Sequence, residues 1–251
     1  MKQINLMYHD VYRNSLHESG FDTNGANYYK ITENRFIEQL EFLSSFVSDN
    51  KLRKENVVLT FDDGGISFSE VIVPLLDKYG FKGHFYISTD YIGTKGFMSS
   101  DDIKRIADRG HTVGSHSCSH PSNLGSLSKE ERDKEWRNSV STLNSICGMQ
   151  TNEVSIPNGY FTKEDVAQFK RLGINTIYTS TIGEYKVVDG VSVVGRIAID
   201  ANTTQDDFRQ LVEGGWLIKK RIVRQTLLQV LKSLLGNNYI SIKRTIRKWI
   251  H

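Results

Sequence analysis

The residue types most able to do chemistry in this 251-residue chain are two adjacent carboxylates and, further on, two histidines. The first pair lies in Thr60-Phe61-Asp62-Asp63-Gly64, at the end of the apolar run Val57-Val58-Leu59; the second lies in His116-Ser117-Cys118-Ser119-His120, after a short apolar stretch around Val113. One carboxylate and two imidazoles are a sufficient protein ligand set for a divalent metal with open coordination positions. The other carboxylate would then stand beside the metal as a base, and the combination points to metal-assisted hydrolysis. His/His/Asp ligation makes zinc the first expectation, with iron, cobalt, nickel or manganese as alternatives. The i, i+4 spacing of His116 and His120 predicts one face of a helical turn, ended by His120-Pro121. Cys118 between them is expected to turn away into packing, with a thiolate ligand as the alternative. An Asp-Asp-Gly stretch by itself reads equally well as a turn; the strand before it and the histidines after it favour the metal.

These groups need a frame, and strand-like runs alternate with helical patterns along the chain. Strands are predicted at Ile4–Tyr8, Val57–Phe61, His84–Ser88, Thr112–Ser115, Glu153–Ile156, Thr176–Thr179 and Val193–Ile199. Helices are predicted at Thr32–Phe46, Phe68–Tyr79, Ser100–Ala107, Ser128–Ile146, Thr162–Leu172 and Thr204–Val212. Thr32 precedes an apolar face of Phe36, Leu40 and Leu43, Ser128-Lys129-Glu130-Glu131 fits a capping box, and Gly80 and Gly173 stand at expected C-caps. Seven strands alternating with helices predict an α/β fold, a parallel (β/α)7-type barrel. Chemistry in such barrels sits at the C-terminal strand ends, and Asp62, Asp63, His116 and His9 all fall just past one. His84, inside a strand, is expected to pack or hydrogen-bond in the core; His17 and His111 read as loop residues. The polar stretch Tyr12–Tyr29 is either a groove wall or a plain surface loop.

Composition is that of an ordinary globular protein, with only two cysteines, Cys118 and Cys147, and hence no disulfide framework. The N-terminus shows no apolar signal segment, and no apolar run is long enough to span a bilayer, so a cytoplasmic location is the expectation. The net charge of +3 hides an asymmetry: Trp216 to His251 carries nine Lys/Arg and no Asp or Glu, while the other 215 residues carry 23 basic and 29 acidic side chains. The predicted organisation is therefore a barrel over residues 1–213 and a tail over 214–251. By pattern the tail forms two basic amphipathic helices, the second running from Ile240 to Ile250, suited to peripheral contact with the anionic inner face of a cell membrane. The alternative is a helix packed on the barrel with a solvated basic face. No nucleic-acid motif accompanies the charge, so no nucleic-acid partner is expected.

The two motifs, with their spacing and the run Pro74-Leu75-Leu76-Asp77-Lys78-Tyr79-Gly80 leading to Gly83-His84-Phe85-Tyr86-Ile87, resemble the polysaccharide deacetylase family over roughly residues 3 to 212. That resemblance implies a distorted (β/α) barrel and metal-dependent removal of N- or O-acetyl groups from sugars. It implies Asp62 as general base and Asp63, His116 and His120 as metal ligands, with the Asn158 N–H donating to the oxyanion. Where the family has Arg-x-Pro-x-Gly, this chain has Ser155-Ile156-Pro157-Asn158-Gly159, so the arginine that orients the aspartate is absent. Arg196, near a late strand end, is the candidate replacement, with a purely structural arginine as the alternative. The family's late Leu-x-His is also absent, and Met7-Tyr8-His9-Asp10 looks like that motif moved to the N-terminus by circular permutation. His9 is thus the expected general acid, a role that suits an imidazole, and Tyr8, Pro157 and Arg196 are expected to touch the substrate. The resemblance implies an N-acetylated carbohydrate as substrate; the basic tail on a chain with no signal segment adds the expectation of a lipid-linked sugar used in surface polysaccharide biosynthesis. The alternatives are a deformylase acting on a lipid-linked amino sugar and a non-catalytic carbohydrate-binding module.

Overall fold

The computed structural model describes residues 3–235; the expected second tail helix, from Ile240 to Ile250, lies outside them. In chain order the strands are β1 (Ile4–Tyr8), β2 (Val11–Tyr12), β3 (Ile31–Thr32), β4 (Val57–Phe61), β5 (Gly83–Ile87), β6 (Thr112–Ser115), β7 (Glu153–Ser155), β8 (Thr176–Thr179), β9 (Tyr185–Val188), β10 (Val191–Gly195) and β11 (Ile197–Ala198). The α-helices are α1 (Asn24–Asn27), α2 (Glu33–Asp49), α3 (Val73–Tyr79), α4 (Ser100–Asp108), α5 (Lys129–Cys147), α6 (Lys163–Arg171), α7 (Gln205–Glu213) and α8 (Trp216–Leu235). The chain divides into two compact units after Arg209.

The main sheet runs β11-β1-β4-β5-β6-β7-β8-β10-β9, parallel throughout except for the β9–β10 hairpin. The last strand expected from the sequence, Val193–Ile199, is in fact two. β10 pairs with β8, whereas β11, one residue further on, pairs with β1 on the other side of the sheet. The two sides are therefore joined through Arg196, and the curled sheet is a distorted α/β barrel with seven parallel strand positions. The split has a local cause. The turn at Thr181–Glu184 crowds the end of β10: the Gly195 N–H donates to the Glu184 carbonyl at 2.7 Å, and a Cβ on Gly195 would stand 1.7 Å from the Thr181 carbonyl oxygen.

Side chains alternate between the two faces of a strand, and this decides what the barrel axis receives. Val58 of β4, Tyr86 of β5, Tyr178 of β8 and Val194 of β10 form one buried interior cluster. The intervening residues point outward beneath the helices: Val154, Ile177, Val191 and Val193 pack with Trp136, Val140, Val166 and Phe169. On the β1–β4–β5 side the outer layer is aromatic, with Tyr8 stacked on Phe61 and Phe61 stacked on Phe85 at 5.5 and 5.0 Å between ring centroids.

The helices begin where their caps dictate. Thr32 Oγ1 accepts from the Arg35 N–H before α2, and Ser128 and Glu131 form a reciprocal capping box before α5. Gly80 ends α3 at φ +69°, a conformation that suits glycine. The stretch Phe68–Tyr79 is not a single α-helix: it opens with a π-helical turn over Phe68–Ile72 before α3. His111 does lie in a connection, but it is buried, accepts from the Gly83 N–H at 3.0 Å, and has its pKa pushed down to about 4, mainly by burial. His84 pairs with Glu153 at 2.8 Å, and His17 with Asp22 at the surface.

Candidate metal centre and active-site cleft

Strand alternation carries Asp62 into the barrel, because it continues the inward face of Thr60. Asp63 should then face outward. Its backbone instead takes φ +91°, ahead of Gly64 at φ +101°, which turns its carboxylate back over the strand ends. Such a φ is uncommon for a residue with a side chain and marks a position held by its surroundings.

The histidines reach the same place by a loop rather than by the helical turn that their spacing suggested. After β6 the segment from His116 to His120 has no helical hydrogen bonding, and Ser117 and His120 take φ +65° and +50°. Glu135 of α5 organises this loop from below. Its carboxylate accepts from the Cys118 and Ser119 N–H groups and from the Ser119 hydroxyl, at 2.8–2.9 Å. Cys118 does turn into packing, its thiol donating to the Glu135 carbonyl. Glu135 had no signal in the sequence, because the loop that it holds lies on another element.

Asp63, His116 and His120 thus converge, with one ligating atom from each lying within 4.8 Å of the others. Asp63 Oδ1 stands 3.5 Å from His116 Nε2 and 3.4 Å from His120 Nε2, and it is buried without a hydrogen-bond partner. A buried carboxylate oxygen left unpaired is costly unless a cation completes it. His116 Nδ1 must donate to the Ser155 carbonyl at 2.8 Å, since a carbonyl only accepts, which leaves Nε2 as the lone-pair atom in the neutral ring. Burial opposes charge on His116, but Asp62 and Asp63 outweigh it and raise its pKa; on His120 burial and then His116 push the pKa down to about 4. Nitrogen and carboxylate donors, buried and oriented in this way, fit a divalent metal.

Asp62 stands beside this cluster in a different state. Arg196, only 1% exposed, straddles its carboxylate: Nη1 donates to Oδ1 at 2.7 Å and Nη2 to Oδ2 at 2.8 Å. The Ser155 hydroxyl accepts from Arg196 Nη2 and donates to Asp62 Oδ2, closing the triangle. Arg196 also donates to Thr60 Oγ1 and the Thr179 carbonyl, and its guanidinium lies 5.7 and 5.8 Å from the Tyr86 and Tyr178 ring centroids. Burial alone would raise the Asp62 pKa, but Arg196, then His116 and His9, hold it well below the usual carboxylate range. Serine therefore occupies position 155 where the resemblance called for arginine, and the guanidinium comes from the bend between β10 and β11.

A cleft of about 610 Å³ opens over these groups. Asp62, Asp63, His116, His120, His9, Asn158 and Arg196 all line it. His9 stacks on Tyr29 at 4.7 Å, and its Nδ1 is buried without a partner. Asn158 takes φ +55° in the turn after β7. Two residues expected to touch substrate do not reach the cleft. Tyr8 points away by the same alternation that brings Met7 and His9 inward, and its hydroxyl donates to Gln39 of α2. Pro157, in the same turn as Asn158, is buried and is not among the residues that line the cleft.

The Tyr12–Tyr29 stretch walls the cleft through Phe21, Thr23, Gly25, Ala26 and Tyr29, with Phe21 against the His120 ring at 5.0 Å. A buried brace holds it there. Asp10 accepts from the Ser19 and Ser67 hydroxyls, and the buried Lys30 ammonium donates to the Leu16 and Ser19 carbonyls. Gly65 leaves room for this brace, since a Cβ there would lie 1.9 Å from Asp10 Oδ1 and 2.6 Å from Ser19 Oγ. Gly65→Ala is expected to lower the melting temperature by roughly 2–12 °C, measured by calorimetry, the range for overpacking a tight site in a chain of this size.

A polysaccharide deacetylase family model matches residues 49–177. Among curated relatives, the peptidoglycan-N-acetylmuramic acid deacetylase PdaA of Bacillus subtilis (strain 168) is 27% identical over 51% of this chain and 48% of its own length. The chain spans between 48% and 66% of the length of the first curated relatives that it matches. Among solved structures, the Streptococcus pyogenes deacetylase PplD in complex with acetate superposes with a TM-score of 0.70 at 23% identity, covering 84% of this chain and 98% of that one. IcaB from Ammonifex degensii gives a TM-score of 0.65 at 21% identity, over 86% and 97%. At these identities the superpositions speak for the barrel.

Proposed function

Because the chain belongs to the polysaccharide deacetylase family, we propose that it is a divalent-metal hydrolase that removes N-acetyl groups from a carbohydrate. The observation that carries this reading is the unpartnered Asp63 Oδ1 facing two imidazoles, beside a separate carboxylate clamped by Arg196. Asp63, His116 and His120 would hold the metal, with zinc the first choice, and it would supply Lewis acidity toward the acetamide carbonyl and toward water.

The protein's own groups do the rest. Asp62, ionised at any physiological pH, takes a proton from the attacking water through a lone pair that Arg196 and Ser155 leave unused. The Asn158 N–H, in the left-handed turn at the cleft wall, faces the negative charge developing on the acetamide oxygen. His9, held flat against Tyr29, donates a proton to the departing amine. Arg196 is a positioning residue in this scheme: it fixes the Asp62 carboxylate plane and is itself fixed by Thr60, Thr179, Tyr86 and Tyr178.

The test is metal analysis together with acetate release from N-acetylglucosamine oligomers. Chelation is expected to abolish release and a divalent metal to restore it. Asp63→Ala should lose both the bound metal and at least about 100-fold in rate, since it removes a ligand outright. A wild-type protein that holds no divalent metal would overturn the proposal. Formate release from N-formyl sugars, with none of acetate, would move the activity to deformylation on the same residues.

A further inference from the structure

The catalytic scheme leaves α8 unused. Its first three turns present an exposed stripe: Trp216, Val223 and Leu227 are 63%, 59% and 59% exposed. At 100° per residue these three and Lys220 fall within an arc of about 60°. The Lys220 ammonium lies 5.0 Å from the Trp216 ring centroid, which places both on that face. Lys219 and Arg224, both exposed, flank the stripe on either side. An apolar strip with a tryptophan at one end and cations along its margins is the pattern of a helix lying in a lipid interface.

Charge decides among the occupants that such a strip could have. From Trp216 to His251 the chain carries nine basic residues and no acidic one. A second copy of this helix is therefore repelled from the face. An anionic surface is attracted instead. Nucleic acid would answer the cations, but it offers nothing to Trp216, Val223 and Leu227, whereas acyl chains do. No helix among the described residues is long and apolar enough to cross a membrane, so the contact is one of lying on the surface. We propose that the exposed Trp216–Leu227 face of α8 docks this protein on an anionic phospholipid surface.

Co-sedimentation of the intact protein with vesicles tests this. Wild type is expected to bind vesicles of 30% phosphatidylglycerol in phosphatidylcholine, to ignore pure phosphatidylcholine, and to weaken at least tenfold between 50 and 500 mM salt, as screening of surface charge requires. Each basic residue near such a surface strengthens binding roughly fivefold. Lys219→Gln/Lys220→Gln/Arg224→Gln should therefore lose on the order of 100-fold. Trp216→Ser/Val223→Ser/Leu227→Ser should lose at least about tenfold while keeping its charge. All substituted positions lie outside the cleft, so acetate release from soluble oligomers should be unchanged in both variants, which also reports that they fold. The proposal is overturned if wild type leaves anionic vesicles unbound, or if either triple variant binds as wild type does. It is also overturned if sedimentation velocity shows a dimer that the serine variant splits, or if duplex DNA binds more tightly than the vesicles.

Discussion

Asp62→Asn is expected to lower kcat for acetate release by about 10²–10⁴-fold, the range for removing a positioned general base. Bound divalent metal, measured by elemental analysis, should stay at the wild-type stoichiometry. The asymmetry with Asp63→Ala is the informative part. The two residues are neighbours in sequence, similarly buried, and line one cleft. Yet Asp62 has both oxygens satisfied by Arg196 and Ser155, while Asp63 Oδ1 has no partner and faces the imidazoles. A carboxylate pinned by a guanidinium and a serine hydroxyl is a poorer ligand than one with a bare buried oxygen facing two imidazoles. Asparagine at position 62 keeps an oxygen for Arg196 and nearly the same volume, so the cleft should survive the exchange. Loss of metal on Asp62→Asn, or retained activity, would refute the division of roles between the two residues.

Much of the frame could be read from the sequence, and for a definite reason. Strands buried on both faces, such as Val57-Val58-Leu59, and helices with explicit caps, such as Ser128 and Gly80, carry their signals locally. The interior alternation was equally local, and following it strand by strand would have placed Tyr8 with the outer aromatic layer and Ser155 on the inward face. What stayed hidden was non-local. The φ of Asp63, the non-helical path from His116 to His120 and its support by Glu135 depend on elements distant in sequence. The hairpin at β9 and the partner switch at Arg196 depend on a turn that crowds Gly195. The i, i+4 spacing of His116 and His120 predicted a helical turn, whereas a loop with two left-handed residues brings the pair together.

Arg196→Met tests the arginine that stands in for the absent one before Pro157, and its effects on stability and on activity can be told apart by pH. The variant leaves the buried Asp62 carboxylate without its main partner. Breaking a buried ion pair from one side costs about 3–5 kcal/mol, so urea unfolding at pH 7 should show a loss of that order. The pH dependence has a definite sign. In the wild type the folded pKa of Asp62 lies below the unfolded value of about 3.9. Its contribution to stability is therefore complete above that value and is lost only as pH falls through the lower, folded pKa. In the variant, burial is no longer opposed by Arg196, the largest of the lowering influences, so the folded pKa rises and the carboxyl takes up its proton at a higher pH. The stability gap between the two proteins should accordingly be widest near neutrality and narrow as pH falls to 4. Activity should follow the same group, with the acid limb of the kcat/KM profile moving to higher pH, because the base must be ionised to work. Arg196→Lys should recover only part of either effect: a single ammonium cannot bridge both carboxylate oxygens and Ser155 while lying between two tyrosine rings. An arginine that merely filled space would give a stability loss independent of pH and an unmoved acid limb, and that pair of results would exclude the positioning role.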